Sequence, residues 1–566
     1  MRSRRWPRLG RVSLLAVVAV AVVALPAASE EGPRELPKAL LAHLSYSAVS
    51  AYYIANPDQA PPRFAAAVDR MNERQGQIRG GGNHNRQDLF NRDIFGLPQN
   101  EESVTACRAN INLVLEGTND YRGLLDPEEN FTGWHFSTDS GKTLRNEGLL
   151  PPVSLLSEPD REVPSGGDPV DFLSGGACDA YAASLAYNPA NPFGDANGIA
   201  VYKSTPALLA SCDTEFPNSS NPACWPVRRL VAEAAPEHFL DKEWMYVGVQ
   251  NGVRYVWVTY SDFAIDETAP LGFTGAEIFA VRCDENLVTC TAPIPISVDD
   301  GDVQFSDVTV GPDGRAYITW SQILSELEQT DQTFVHKIRV ETAPGSAVFG
   351  PEQTIYEETN AIPFGGFMHA NDWRVATYPK NDVARLQNGT IRKFLIWDAC
   401  QFRLLGTVCE EAQIKLSWSD DPAAATWTDP IVVSKGGDNY FPTIALDPVG
   451  RDHISMAWFT NRFDTAFHNQ QDVVLTSVAA DSPRPTGYKR LTGSSNESEA
   501  DPLLGGFFIG DYIEAFTHAN RVWVGYNANY RKVALLGVFT DEEGNPIFPG
   551  IPVNQQDNYL ARTGPG

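Results

Sequence analysis

The sequence predicts an all-β fold, a β-propeller of seven blades with four antiparallel strands each, preceded by a short helical N-terminal segment. A six-bladed ring is the alternative. Units of 62–73 residues follow one another along the chain. Several of these units contain a strand, a turn rich in Gly, Asp or Asn, and a second strand that ends in an aromatic residue. The 45 glycines and 40 prolines among 566 residues favour a fold with many turns.

The first 29 residues have the order of a secretory signal peptide. Five arginines precede an apolar run of 14 residues from Val12 to Leu25, and small residues follow that run. A membrane-spanning helix needs about 20 apolar residues, so an uncleaved membrane anchor is the less favoured alternative. We therefore expect a secreted, extracellular protein with no transmembrane segment after signal cleavage, exported by either the Sec or the twin-arginine route.

Residues 30–85 carry the helical pattern of the chain. Leucines recur at helical spacing from Leu36 to Leu44, and apolar residues do so again from Phe64 to Ile78. Prolines between positions 57 and 62 separate the two stretches, and the Gly-rich residues 80–85 indicate a linker. We interpret this segment as a pro-segment or a helical cap, without a catalytic role, on a propeller that spans residues 86–566.

The repeat accounts for nearly all of the chain after the linker. A unit of about 70 residues holds four strands of ordinary length with their turns. One four-stranded sheet cannot bury both of its faces, so neighbouring sheets stack and the ring closes. The seven units start at Glu102, Asp168, Asp241, Val303, Trp373, Asp438 and Phe508.

The aromatic residue at the end of the second strand recurs at Trp320, Trp397, Trp458 and Tyr526. Each of these residues could stack on a substrate or fill the space between blades. We favour the second interpretation, because an aromatic residue that recurs at the same place in several units would fill the space between neighbouring blades.

All eight cysteines follow the signal sequence, and an even number in an exported chain predicts disulfides. Three pairs are close in sequence: Cys212 with Cys224, Cys283 with Cys290, and Cys400 with Cys409. The remaining pair is Cys107 with Cys178. These two precede matching strands of the first and second units, which are expected to be neighbours.

Charge and motifs exclude several classes of function. Lys plus Arg number 44 and Asp plus Glu number 71, a net charge of −27, so we expect no nucleic-acid partner. The sequence has no GxSxG, HExxH, Rossmann or Walker signature. We expect no cofactor and no metal. The alternative is Ca²⁺ at the acidic run Asp299, Asp300 and Asp302 with Asp307.

The ends of the innermost strands converge on the propeller axis, so a functional site is expected there. Close carboxylates would raise one another's pKa values, which suits a general acid. We predict catalytic roles for Glu102, Asp168, Asp511 and Tyr512, with Tyr512 as a nucleophile or substrate contact. We predict substrate binding by Lys242, Asp241, Asp307, Asp372 and Arg374. The alternative is that these side chains cap strand ends within their own blades.

One turn has a recognisable motif. Ser137, Asp139, Gly141 and Thr143 match S-x-D-x-G-x-T-W, and Leu144 replaces the Trp. The stretch resembles the Asp box of sialidase-like (BNR-repeat) propellers, a turn between the outer two strands of a blade. A degenerate second box runs from Ser419 to Trp427. Further phrases, such as residues 96–103 and 117–122, are similar to secreted bacterial exo-sialidase-like proteins.

This resemblance implies a glycoside hydrolase of sialidase-like fold that acts on an extracellular glycan. Sialidases of this family grip the substrate carboxylate with three arginines, and the F/Y-R-I-P motif that carries the first is missing here. The glycan therefore need not contain sialic acid. Two alternatives remain: a non-catalytic propeller that binds glycan or protein at the cell surface, and a polysaccharide lyase.

Overall fold

A computed structural model shows the fold. It divides the chain after Leu36, and everything below concerns the unit Pro37–Gly566. Within that unit the structure describes all residues except 37, 46–47, 50–51, 54–55, 57–58, 61–88, 93–96, 127, 190, 192–195, 216–218, 267, 270–271, 299–300, 325–331, 364–366, 369–370, 372, 405–407, 448–452, 499–500, 502–503, 505–507, 535–551 and 565–566. The predicted signal peptide and the second predicted helix lie outside the described residues.

The first three blades are antiparallel sheets of four strands in sequence order. Blade 1 consists of β1 (Gln99–Cys107), β2 (Asn110–Asp120), β3 (Thr132–Ser137) and β4 (Asn146–Leu149). A small hairpin, β5 (Val153–Ser154) with β6 (Glu162–Val163), precedes blade 2. Blade 2 consists of β7 (Val170–Ser174), β8 (Asp179–Tyr187), β9 (Asn197–Ser204) and β10 (Val227–Glu233). Blade 3 consists of β11 (His238–Gln250), β12 (Val253–Ile265), β13 (Phe273–Asp284) and β14 (Ile294–Pro295).

The next three blades repeat this order. Blade 4 consists of β15 (Val303–Val310), β16 (Ala316–Leu324), β17 (Thr333–Val340) and β18 (Gln353–Glu358). Blade 5 contains β19 (Phe367–Met368), β20 (Lys380–Arg385), β21 (Ile391–Leu404), β22 (Val408–Ser419) and β23 (Ile431–Val432), with β19 added parallel to β22. Blade 6 consists of β24 (Asn439–Asp447), β25 (His453–Thr460), β26 (Asp472–Ala479) and β27 (Lys489–Arg490).

The seventh blade closes the ring between the two ends of the chain. It consists of β28 (Glu514–His518), β29 (Arg521–Ala534) and β30 (Pro552–Thr563). Leu89 forms an antiparallel bridge with Tyr559 of β30, and the Phe90 N–H donates to the Asn558 carbonyl at 3.2 Å. Residues before the first blade thus complete the last one, which confirms the predicted seven-bladed propeller.

The innermost strand of each blade faces a central channel. A cavity of about 70 Å³ in this channel is lined by residues of β7, β11, β15, β20, β24 and β28 and by Arg108, which follows β1. The repeat starts read from the sequence all lie at or shortly before these strands. The predicted repeat therefore matches the blades one for one.

The recurring aromatic residues lie in the core between blades, as predicted. Trp320, Trp397, Trp458 and Tyr526 are completely buried. The Trp397 ring of blade 5 lies 4.9 Å from the ring of His336 in blade 4. Each such residue gives one sheet a large apolar surface to pack on its neighbour.

The turn that resembles an Asp box joins β3 to β4, the outer two strands of blade 1. Asp139 Oδ1 accepts from the N–H groups of Lys142 and Thr143, and Asp139 Oδ2 accepts from the Thr143 hydroxyl at 2.7 Å. The Gly141 N–H donates to Ser137 Oγ at 3.0 Å. Gly141 has φ +79°, a left-handed conformation that glycine adopts without strain. Side chains thus satisfy the backbone of the turn.

All four predicted disulfides are present: Cys107–Cys178, Cys212–Cys224, Cys283–Cys290 and Cys400–Cys409. The first joins the end of β1 to the residue before β8, so it links neighbouring blades. The other three close short loops within a blade. Such bonds are typical of proteins in oxidising compartments.

Short helices lie outside the sheets in the described part of the chain. They include α1 (Lys38–His43), which precedes the propeller, a 3₁₀ helix (Tyr121–Leu125) after β2, and α2 (Pro206–Ser211) between β9 and β10. The α1 helix falls within the first predicted helical stretch. In the described part of the chain, no helix combines the length and the apolar character that crossing a bilayer requires.

The disulfide between blades 1 and 2 should stabilise the protein most. It spans 71 residues and Cys283–Cys290 spans 7. Loop-closure entropy predicts that replacing both cysteines by Ser costs about 4 kcal/mol for the long loop and about 2.5 kcal/mol for the short one. We expect C107S/C178S to melt at a lower temperature than C283S/C290S at the same scan rate. Equal melting temperatures would contradict the loop-length argument.

Candidate functional site

The innermost strands share a backbone irregularity near their beginnings. Register shifts interrupt β1, β11, β15 and β24, and a residue with positive φ lies within each shift: Glu101 (60°), Lys242 (58°), Phe305 (59°) and Phe441 (50°). Asp168 (54°), just before β7, and Gly510 (94°), before β28, occupy comparable places. Such bulges re-aim side chains, and left-handed non-glycine residues store strain that is concentrated at functional sites.

The re-aimed side chains meet around one ammonium group. Lys242 Nζ lies 3.1 Å from Asp511 Oδ2, 3.9 Å from Asp168 Oδ2 and 3.9 Å from Asp241 Oδ2. Lys242 is only 3% exposed. The four charged groups of this contact belong to blade 2 (Asp168), blade 3 (Asp241 and Lys242) and blade 7 (Asp511). Only the closed ring brings these blades together.

Asp511 is held between two cations. The Arg374 guanidinium donates to both oxygens of Asp511, and the Asp511 N–H donates to Glu101 Oε1 at 3.0 Å. Burial alone would raise the pKa of Asp511, yet the charges of Arg374 and Lys242 hold it below its usual value. Asp511 is therefore ionised at neutral pH.

The pKa values of Glu101 and Asp168 shift in the opposite direction to that of Asp511. The two carboxyl groups are close enough for each to affect the pKa of the other. Burial raises the pKa of Asp168 to about 7, although the Lys242 charge lowers it. Burial, with the charges of Asp168 and Asp511, raises the pKa of Glu101 well above its usual range. One site therefore holds an ionised and a protonated carboxyl group.

We refer to these six residues as the axial cluster: Glu101, Asp168, Asp241, Lys242, Arg374 and Asp511. The Asp168 and Asp511 oxygens are at most about 7 Å apart, because one Nζ lies 3.9 Å from the first and 3.1 Å from the second. Two carboxyls of different protonation at such a distance can serve as a proton donor and a fixed negative charge.

Aromatic side chains lie beside the axial cluster. The Tyr512 ring packs edge-on against Trp244 at 5.4 Å and lies 6.2 Å from Tyr378. The Tyr512 hydroxyl donates to the Pro169 carbonyl at 2.9 Å, and burial, followed by the Glu101 charge, raises the pKa of this phenol well above its usual range. The phenol is therefore protonated at neutral pH, and the role predicted for Tyr512 stays a prediction.

A second polar layer lines the channel cavity. Lys380 Nζ lies over the Trp244 ring and has no hydrogen-bond partner among the described residues. Burial lowers the pKa of Lys380 to about 7, against the charges of Asp307 and Glu514. Burial also raises the pKa of Asp307 to about 6 and that of Glu514 to about 7. At neutral pH, Lys380 is therefore less positive, and Asp307 and Glu514 are less negative, than the same side chains in water.

Five of the nine predicted site residues lie in the axial cluster: Asp168, Asp241, Lys242, Arg374 and Asp511. Tyr512 packs beside it, and Asp307 lies in the channel layer. Glu102 does not join the cluster. The Cβ of Glu102 lies beside Gly525 of blade 7, 3.0 Å from where a Cβ on that glycine would be. The charge of Glu102 raises the pKa of Glu116. Asp372 lies outside the described residues. The roles assigned to all nine remain predictions.

The sequence did not indicate Glu101, Trp244, Tyr378 or Lys380. Glu101 is the neighbour of the predicted Glu102, and the bulge in β1 turns Glu101 rather than Glu102 toward the cluster. The signal in the sequence was only approximate: Glu101 and Lys242 are the immediate neighbours of the unit starts Glu102 and Asp241, and the positive φ that Glu101 and Lys242 share with Asp168 is visible only in the structure.

Metal ligation is not indicated by the described residues. They contain no group of three or more His, Cys, Asp or Glu side chains arranged to hold an ion. Of the calcium candidate, Asp299 and Asp300 lie outside the described residues, and Asp302 Oδ2 lies 3.3 Å from His43 Nε2.

No protein-family model and no curated protein matches this sequence. Among solved structures, the chain is similar to the Hadza microbial sialidase Hz136 (10% identity, TM-score 0.38, 64% of this chain and 63% of that one). It is also similar to the phage phi92 endosialidase (8% identity, TM-score 0.41, 86% of this chain and 70% of that one). A further similar structure is the GH93 α-L-arabinofuranosidase of Fusarium graminearum (10% identity, TM-score 0.37, 86% of this chain and 96% of that one). At these values the likeness carries no argument about activity.

Asp168 should make stability depend on pH. A carboxyl whose pKa rises from 3.8 to about 7 on folding stabilises the protein at low pH, and that stabilisation is lost as pH rises through 7. Asp168→Asn mimics the protonated form, so its melting temperature should rise relative to wild type between pH 5 and 8. The change is on the order of 2–4 kcal/mol.

The exposed Asp160 provides the control for this measurement. Asp160→Asn should keep a constant difference from wild type over the same pH range. A constant difference for Asp168→Asn as well would show that Asp168 is ionised throughout.

Proposed function

We propose that this protein is an extracellular glycoside hydrolase whose axial cluster is the catalytic site. Its chain begins with the pattern of an export signal, and four disulfides suit an oxidising environment. The single observation that carries the proposal is the placement of two buried carboxyl groups, Asp168 and Asp511, beside one ammonium group, that of Lys242. The pKa of Asp168 is raised there and that of Asp511 is lowered. Secretion is part of the proposal.

Glycoside hydrolysis needs the two functions that this pair can provide. Asp168, with a pKa of about 7, can donate its proton to the leaving glycosidic oxygen. Asp511 stays negative and can stabilise the positive charge that develops on the sugar ring. As the glycosidic bond breaks, a water molecule adds to the anomeric carbon, and the proton that this water releases restores Asp168 for the next turnover.

The charges of the cluster favour a neutral sugar. Four carboxyl groups surround two cations, and both cations already pair with Asp511. The carboxylate of an acidic sugar would have to compete with Asp511 for Arg374. We therefore propose a neutral glycan as substrate rather than a sialic acid conjugate.

A non-catalytic glycan-binding propeller is the second candidate. The specific observation in its favour is that Lys242, Arg374 and Asp511 satisfy one another and are almost fully buried. Mutually paired charges of this kind also occur as structural networks. The two candidates differ in turnover: a binding module retains a neutral glycan on an array without cleaving it.

Activity should depend on both carboxyl groups. On a neutral chromogenic glycoside that the wild type cleaves, Asp168→Asn and Asp511→Asn should each lower kcat/KM by about 10²- to 10⁴-fold. The wild-type rate should fall as pH rises above about 7, because Asp168 then loses its proton. Asp168→Asn should lack this alkaline fall.

Asp160→Asn is the matched control and should keep wild-type kinetics. Thermal melts separate loss of activity from loss of folding, because breaking a buried ion pair costs about 3–5 kcal/mol. Full activity in a folded Asp168→Asn or Asp511→Asn protein would exclude the axial cluster as the catalytic site.

A further inference from the structure

The peptide group between Leu44 and Ser45 lies directly on the axial cluster. Its N–H, from Ser45, donates to Asp241 Oδ2 at 2.5 Å. Its carbonyl, from Leu44, accepts from Arg374 Nη1 at 2.7 Å. One peptide unit from the N-terminal segment thus bridges a carboxylate of blade 3 and the guanidinium that precedes β20 of blade 5.

The side chains around this peptide are buried. Leu40, Leu44 and Ala48 are completely buried. The His43 ring lies edge-on to Phe273 at 5.3 Å, and its Nε2 lies 3.3 Å from Asp302 Oδ2. The Leu44–Ser45 peptide therefore occupies its place through specific contacts on both sides of the cluster.

The contacts of this peptide define the ligand that the cluster accepts. Asp241 takes a neutral hydrogen-bond donor, and Arg374 takes a neutral acceptor. A sugar hydroxyl is both donor and acceptor, so two hydroxyls of one sugar ring can reproduce the pair. A carboxylate or phosphate could satisfy Arg374 but would face the carboxylate of Asp241.

We propose that Asp241 and Arg374 form a sugar-hydroxyl subsite that the Leu44–Ser45 peptide occupies in the resting protein. The N-terminal segment is then a built-in competitor, and a neutral glycan binds after this peptide leaves. The identity of the ligand, a neutral glycan, rests on the proposed function. The occupied state itself rests only on the two hydrogen bonds and the buried side chains around them.

The test uses two substitutions at one position in the full chain. Ser45→Pro removes the N–H that donates to Asp241. Ser45→Ala keeps that N–H, and both variants lose the side-chain hydroxyl, which accepts from the Ala48 N–H. Ser45→Ala is therefore the control for loss of the hydroxyl, whereas Ser45→Pro also removes the hydrogen bond to Asp241 and fixes φ at this position.

Loss of a hydrogen bond to a charged group should favour release by about tenfold to a hundredfold. Hydrogen–deuterium exchange of the peptide that contains residues 38–45 should accelerate by this factor in Ser45→Pro and not in Ser45→Ala. Ser45→Pro should also bind neutral gluco-, galacto-, xylo- or arabino-oligosaccharides correspondingly more tightly, because the subsite is free more often.

A measurement on the wild type does not depend on how the proline variant folds. A saturating neutral oligosaccharide should accelerate exchange of the same peptide, because sugar and peptide compete for Asp241 and Arg374. Unchanged exchange with bound sugar, or equal exchange in the two variants, would overturn the proposal.

The outcomes separate the two proposals. Release of the segment with tighter sugar binding but no cleavage supports the occupied subsite and contradicts the hydrolase. Release without any sugar binding overturns the subsite. Cleavage with identical exchange in Ser45→Pro and Ser45→Ala supports the hydrolase and overturns the built-in competitor.

Discussion

Closure of the ring is the constraint on which the rest of the structure depends. A four-stranded blade leaves two apolar faces that only its neighbours can cover, so every blade depends on the next. The bridge from Leu89 to Tyr559 lets residues at the start of the propeller complete its last blade. Burial of Trp320, Trp397 and Trp458 and the Cys107–Cys178 bond follow from this contact between neighbours.

The same closure creates the axial cluster. Seven innermost strands converge on one axis, and bulges near their beginnings turn Glu101 and Lys242 toward it. Isolated buried charges are costly, so the cluster depends on the pairing of Lys242 and Arg374 with Asp511 and on the raised pKa values of Glu101 and Asp168, which reduce their negative charge. The opposite protonation states of these carboxyls are a consequence of burial and pairing together.

The N-terminal segment belongs to the chemistry of this site. Its Leu44–Ser45 peptide, which is uncharged, hydrogen-bonds to Asp241 and Arg374, the two members that also contact Lys242 and Asp511. A neutral peptide group fits where a further carboxylate would be repelled. The structure thus shows in its own chain which polarity the site tolerates, in a protein whose net charge is −27.

Repeat length, cysteine spacing and recurring aromatic residues were enough to predict the seven blades, the four disulfides and the buried aromatic core, because these are patterns that can be read along the chain. The sequence also indicated that Asp168, Lys242 and Asp511 lie near the axis. That Glu101 rather than Glu102 joins them became visible only in the folded blade, because a bulge shifts the side-chain alternation by one residue and no local pattern marks it. The protonation of Asp168 and the place of Leu44 and Ser45 were likewise decided by burial among residues hundreds of positions apart, which a linear pattern does not encode.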